Sequence, residues 1–270
     1  MALGLGLGIQ FRNKASGGGG LDPATQALLA KAATDGYTPA SGDTLAALDT
    51  YIKGLKSAGV WGKLDVLYVP ATNGDSDFAT YNILDPNNFQ ATKVNSPTFT
   101  SLQGFTGDGS SSYLNTNYNP NDNGANYTLN NASYGYYVRV YNASGPTTAG
   151  ARDESANNRN YEVFGTISPI NSNSNGIFSN NTGNGFRHVN RSSSTNINRV
   201  INGTSESASL TSSALASSDF YLLCLNDNST PLGFSTSQIS VFFIGGNLLT
   251  EASDFYNLTQ DYMTALGTEV

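Results

Sequence analysis

The stretch Ile239–Gly267, ISVFFIGGNLLTEASDFYNLTQDYMTALG, decides the fold. Its first part, Gln238–Ile244, is short, β-branched and aromatic, which predicts a core strand. The spacing then changes. Phe255, Leu258, Tyr262 and Leu266 recur every three or four residues and form one apolar stripe of a closing helix. Thr250 is its expected N-cap, Glu251 and Asp254 favour the positive end, and Gly267 is the stop.

Upstream of this strand the chain keeps the same β character. Candidate strands are Ser112–Thr116, Tyr134–Tyr141, Tyr161–Ile167, Gly185–Arg191, Ile197–Ile201 and Phe220–Leu225. Clusters of Asn, Asp, Gly, Ser and Pro separate them, and Asn202-Gly203 reads as a hairpin turn of the primed type. Many short strands with such punctuation predict a sandwich or jelly roll.

The amino-terminal side reads differently. Asp22-Pro23 opens a helix as N-cap and first-turn proline, with Leu28 and Leu29 on its apolar side and an end near Gly36. A second helix starts at Asp43 as N-cap, with Leu45, Leu48, Ile52 and Leu55 as its stripe and Gly59 beyond its end. Val60 and Trp61 pack on that helix end, and Leu64–Val69 is a strand stopped by Pro70. Before the helices, Leu3, Leu5, Leu7, Ile9 and Phe11 alternate with Gly4, Gly6 and Gly8. That is a strand with one greasy face and one bare face, suited to insertion into a partner subunit. Ser16–Gly20, SGGGG, reads as a hinge. The expected organisation is an anchor and hinge over 1–20, a helical lead-in over 21–62 and a jelly roll over 63–270.

Composition narrows the function. Charged residues are 12%, about half the usual ~25%. With 32 Asn and 11% aromatics, the chain is polar yet able to form a core. The net charge of −7 argues against a nucleic-acid partner, whose binders carry a basic footprint. No apolar run is long enough to insert into a membrane as a helix. One Cys and one His exclude a disulfide framework and Cys/His zinc sites. All six Lys lie at or before Lys93, whereas six of the seven Arg lie at or beyond Arg139. The start of the chain lacks the cationic region and cleavage site of a secretion signal.

Two stretches carry a resemblance. One is Ser41–Asp65 with Asn82-Ile-Leu-Asp-Pro86, Phe99 and Gly104-Phe-Thr-Gly-Asp-Gly109; the other is Ile239–Gly267. Together they are similar to the laminin-G-like, concanavalin A-like jelly-roll proteins of phage virions. The similarity covers roughly Ala40–Val270. It implies a mainly β fold, a concanavalin A-like jelly-roll sandwich with a short helical lead-in and a carboxy-terminal helix, to which the Leu/Gly alternation adds an extended amino-terminal anchor. The fold hosts lectins, hydrolases and structural modules alike. Residues 1–20 resemble in style the particle-docking ends of phage fibres.

Glu154, Glu162, Glu206, Glu251 and Glu269 do not form the paired-carboxylate strand motif that concanavalin-like glucanases use. No catalytic residues are assigned, and the chain is expected not to be an enzyme. His188 reads as a structural histidine and Cys224 as a buried apolar residue. No metal ligand is assigned. Relatives often hold Ca²⁺, for which Asp75, Asp77, Asp108, Asp122 and Asp153 are the carboxylates to test. Carbohydrate contact fits the composition better. Arg152, Asp153, Arg159, Asn160 and Tyr161 combine hydrogen-bonding groups with an aromatic face, and Tyr134, Tyr136, Tyr137 and Tyr141 offer further rings, although alternating Tyr is first of all strand packing.

The resulting expectation is a phage virion protein: a fibre, spike or tail appendage made in a host cytoplasm without a signal peptide. It docks to other virion proteins through residues 3–11, forms a homo-oligomer with a trimer as the expected state, and presents its sandwich to a host-surface glycan or receptor. A purely structural decoration protein, a bacterial lectin or adhesin, and a glycan hydrolase remain as alternatives.

Overall fold

Residues Gln238–Gly245 form the strand around which the molecule is built, and all eight are buried. A computed structural model describes residues 20–142, 148–153, 157–163, 166–167, 170–173, 178–179 and 183–270, with the backbone alone for 157–163, 166–167 and 179. The anchor residues Leu3, Leu5, Leu7, Ile9 and Phe11 lie outside the described residues.

In chain order the elements are α1 (Pro23–Asp35), α2 (Gly42–Ser57), β1 (Leu64–Tyr68), β2 (Thr92–Val94), β3 (Thr98–Thr100), β4 (Gly104–Thr106) and β5 (Tyr113–Asn115). There follow α3 (Pro120–Asn123), β6 (Ala132–Val140), β7 (Ala149–Asp153), β8 (Asn157–Val163), β9 (Thr166–Ile167), β10 (Phe178–Ser179) and β11 (Gly185–Arg191). The chain ends with β12 (Asn196–Ile201), β13 (Thr204–Ser209), β14 (Tyr221–Leu222), β15 (Leu225–Asp227), β16 (Thr230–Leu232), β17 (Gln238–Gly245) and α4 (Ala252–Ala265).

Two sheets result. The first runs β13-β12-β11-β6-β17-β4-β3, with β1 also paired to β17. The second runs β10-β9-β8-β7-β14-β5-β2, with β15 and β16 attached beside β7. The protein is therefore mainly β, a jelly-roll-like sandwich with a closing helix. Side-chain alternation explains why the first sheet is buried on both faces. Phe242 and Ile244 of β17 point between the sheets, with Tyr134, Tyr136, Val189, Leu114 and Leu222. Val241 and Phe243 point the other way and meet Leu48, Ile52, Leu55, Phe255, Tyr262 and Met263 of the helices. Helices, first sheet and second sheet form three layers over two cores.

Local sequence signals account for the helix ends. The Asp22 carboxylate accepts from Ala24 N at 2.8 Å and caps α1, with Pro23 in the first turn. Gly36 and Gly59 end the two helices at φ 77° and 74°. Trp61 packs below α2 with the Lys56 ammonium 4.9 Å from its ring centre. Two caps differ from expectation. Helix α2 begins at Gly42, so Ser41 takes the cap position and Asp43 falls in the first turn. Helix α4 begins at Ala252 after Glu251, and the Thr250 hydroxyl bonds the Glu251 carboxylate instead of capping. The buried face of α4 also rotates: Phe255, Thr259, Tyr262 and Met263 are covered, while Leu258 and Leu266 are only half-buried. Both lead-in helices lie against the first sheet and share its outer core with α4.

The expected strand Phe220–Leu225 is broken. Leu223 adopts φ 70°, its N–H donates to Thr148 O at 2.7 Å, and its carbonyl accepts from Ser235 N at 2.7 Å. The chain thus leaves β14 and returns as β15, which pairs with β7 in parallel. The Asn202-Gly203 hairpin holds, with positive φ at both residues, 46° and 78°.

Candidate functional site

The face of the second sheet away from the core carries the arrangement best suited to a ligand. Leu114 and Leu222 point inward. Their neighbours Tyr113, Asn115 and Tyr221 therefore point outward. The Tyr113 and Tyr221 rings lie 4.6 Å apart, and Phe234 sits 6.3 Å from Tyr113. Tyr221 is the covered base of this trio, while Tyr113 and Phe234 are half-buried and keep part of their surface in solvent. Burial, the neighbouring Tyr113 phenol and the Asp219 carboxylate push the Tyr221 phenol up to about 12, so it stays neutral at ordinary pH.

Polar groups flank the rings. Asn115 Nδ2 donates to the Asp219 carboxylate at 3.1 Å. Asn117, with φ 56°, donates through Nδ2 to Gln90 O and Thr92 Oγ1 at 2.7 and 3.0 Å. Gly150 of β7 is the register partner of Tyr221, and Arg152 lies two residues further along. Its Nη2 donates to the Asp227 carboxylate at 2.8 Å. Apolar ring faces beside amide, carboxylate and guanidinium groups can hold a ligand that is apolar on one side and hydroxylated on its edges.

Of the expected site residues whose side chains are described, Arg152 shares the outer face of the sheet with this trio, two residues from Gly150. Asp153 accepts from Ser217 N at 3.1 and 2.9 Å and from Ser218 Oγ at 3.0 Å, which ties β7 to the loop before β14. Arg159, Asn160 and Tyr161 lie on β8, where Tyr161 pairs with Gly150 and Asn160 with Ala151. The extra rings are corrected: Tyr134, Tyr136 and Tyr137 are core residues at 1%, 3% and 0% exposure. Tyr141 is half-buried, with the Arg187 guanidinium 5.5 Å from its ring centre. The sequence reading missed Tyr113, Tyr221 and Phe234. Tyr113 and Tyr221 sit beside inward leucines, which was the available signal.

The carboxylates named for Ca²⁺ hold the protein's own groups. Asp108 accepts three backbone N–H groups, from Ser110, Ser111 and Ser112, and these hold its carboxyl far below the usual range. Asp75 accepts from Thr38 N and Phe78 N, Asp77 pairs with Lys93, and Asp122 accepts from Asn119 and Asn121 amides. Among the described residues no three His, Cys, Asp or Glu gather as a metal site. Glu154 lies outside the described residues.

His188 is 2% exposed, between the Phe186 and Phe243 rings at 5.4 and 5.8 Å. Its Nδ1 meets Asn190 Nδ2 at 3.1 Å. Burial lowers its pKa to about 3, so it stays neutral. Cys224 is fully buried, and burial pushes its thiol well up. Among the described residues no helix is long and apolar enough to cross a membrane.

No protein-family model and no curated protein matches this chain. Among solved structures, a mutant of Trypanosoma rangeli sialidase displaying trans-sialidase activity matches over 81% of this chain at 11% identity and a TM-score of 0.50. The match takes in 39% of the sialidase, so this chain spans well under half its length. The botulinum neurotoxin type G receptor-binding domain matches over 73% of this chain and 52% of its own, at 15% identity and a TM-score of 0.41. Domain 4 of an extracellular arabinanase from Geobacillus stearothermophilus, in complex with arabinotriose, matches over 72% of this chain and 98% of its own, at 14% identity and a TM-score of 0.39. The sialidase likeness agrees with the fold described above.

Proposed function

We propose that this chain is a carbohydrate-binding appendage protein of a phage virion, which docks through residues 3–11 and binds host-surface glycan without turning it over. The observation that carries the binding reading is the partly exposed Tyr113–Phe234 surface on the outer face of the second sheet, flanked by Asn115, Asp219 and the Arg152–Asp227 pair. Partly exposed ring faces match the apolar face of a pyranose, and amide and carboxylate groups match its hydroxyls. Residues 94–270 carry six bases against twelve acids, which favours a neutral glycan over an acidic one. The virion reading is supported by the greasy Leu/Gly alternation at the start of the chain.

A glycan array probed with the full chain tests the binding role. Retention of neutral host-surface glycans, weakened by Tyr113→Ala, is the expected result. Silence across the array would leave a structural decoration protein. Shortened oligosaccharides in the bound fraction would instead indicate hydrolysis. For the virion role, a particle carrying the chain without residues 1–20 is expected to lose it, and normal incorporation would overturn the docking assignment.

A further inference from the structure

Helices α2 and α4 pack antiparallel and leave a surface groove between them. Its wider part, about 450 Å³, is lined by Ala46, Ala47, Leu258 and Ala265 with Asp43 and Asp261 at its rim. A second part of about 390 Å³ continues past Gly54, where Leu258 and Asp261 again contribute and Asp254 joins the rim. The helices approach closely because Gly54 has no side chain: a Cβ there would stand 2.5 Å from Leu258 Cδ2. The floor is mainly apolar: alanines and Gly54 alternate with Leu258 and the Tyr51 and Tyr262 rings. Asp43, Asp254 and Asp261 are exposed, and among the described residues none of them forms an ion pair. The nearest lysines of α2 are engaged elsewhere, Lys53 with Asp49 and Lys56 with Asp22.

The described chain begins beside this groove. Gly20 O accepts from Lys53 Nζ at 3.1 Å, on α2 itself. We infer that the groove receives the chain's own segment Leu3–Phe11. The dimensions agree. Helix α2 has 16 residues, about 24 Å of length. Nine residues in strand conformation span about 30 Å. Residues 12–20 reach about 30 Å when extended, and the glycines of 16–20 permit any turn. Leu3, Leu5, Leu7, Ile9 and Phe11 share one face for the apolar floor, and Gly4, Gly6 and Gly8 keep the segment thin. Arg12 and Lys14 follow directly and complement the unpaired acids of the rim. In this arrangement the greasy strand is covered within its own chain until a partner competes for it. The inference stands on the helix groove and is independent of the glycan-binding face.

Disulfide trapping in the full chain tests it. Ile9→Cys is combined with Ala46→Cys in the groove, or with Ala30→Cys at an exposed position of α1 outside it; Cys224 is fully buried. Docking raises the local concentration of position 9 at Ala46, so the within-chain disulfide is expected to form about tenfold faster there than at Ala30. Asp261→Lys, exposed and common to both parts of the groove, is expected to remove most of that advantage. Equal rates at Ala46 and Ala30 would overturn the inference. A disulfide that joins two chains would overturn it too, since the occupant would then be a second copy.

Discussion

The guanidinium of Arg191 donates Nε and Nη2 to the single carbonyl oxygen of Ile170, at 2.9 and 2.7 Å, while fully buried. Its Nη1 reaches the carbonyls of Ser193, Ser194 and Leu210 at 3.2, 3.3 and 2.7 Å. No carboxylate pairs with it among the described residues, and burial lowers its pKa from the ordinary arginine value. The side chain thus joins three separate segments at the end of β11 with main-chain acceptors only. Arg191→Met would remove the guanidinium donors from the buried Ile170 and Leu210 carbonyls. The expected loss is about 3–5 kcal/mol, read from urea denaturation midpoints. Arg191→Lys should lose nearly as much, because an ammonium cannot reproduce the planar fork.

What was legible in the sequence follows from periodicity. Gly185–Arg191 is strand β11 to the residue, and Phe186 and Val189 face opposite cores as alternation requires. The helix stops at Gly36, Gly59 and Gly267 were legible because left-handed φ selects glycine. The break at Leu223 was not. Nothing local marks it, and it is imposed by two long-range hydrogen bonds, to Thr148 and from Ser235. The tyrosines of β6 misled for a related reason: composition cannot tell a core ring from an exposed one. Tyr113 and Phe234 come together only through the pairing of β5 with β14 and the loop before β17. No spacing in the chain encodes that.

His188 makes stability depend on pH above the range where carboxylates titrate. Its folded pKa of about 3 lies below the ordinary 6.5, so the neutral form is the one the fold accepts. Its contribution is complete above about pH 6.5 and is lost progressively as pH falls toward 3. The lowered carboxylates Asp22, Asp49 and Asp75 start from 3.8, so they overlap only the acid end of that window and leave its upper part to His188. Since the chain has one His, the slope between pH 6 and 5 belongs to it. Unfolding free energy should fall by up to about 1.4 kcal/mol per pH unit there. In His188→Leu the slope should flatten. An unchanged slope in that variant would assign the effect elsewhere.

Gly135 is the contact point between β6 and β11. A Cβ there would stand 2.3 Å from His188 Cβ, 2.4 Å from Arg187 O and 2.7 Å from the Phe243 ring. Two of these neighbours are held by the sheet and cannot withdraw. Gly135→Ala is therefore expected to destabilise by about 1–3 kcal/mol or more through overpacking. Gly36→Ala tests a different cause. Open space surrounds that position, but φ is 77°, so about 1 kcal/mol of backbone strain is expected with no clash. Thermal melts of the two variants should rank in that order.

The glycan-binding face makes the last prediction, and it separates stacking from charge. Tyr113 and Phe234 present the half-buried ring surfaces, whereas Tyr221 supports them from below. Removing a stacked ring forfeits about 0.5–1.5 kcal/mol. Tyr113→Ala and Phe234→Ala should each weaken glycan binding by about threefold to tenfold. Tyr113→Phe keeps the ring and should bind nearly as well as the parent protein. Because the Tyr221 phenol titrates only at about 12, affinity should be flat from pH 6 to pH 9. A neutral ligand also makes it insensitive to salt. Arg152→Met should cost less affinity than stability, since it removes the 2.8 Å ion pair with Asp227. Calorimetric titration of these variants at two ionic strengths checks all of this. Binding that falls steeply with salt while ignoring Tyr113→Ala would move the site away from the aromatic face and toward a charged ligand.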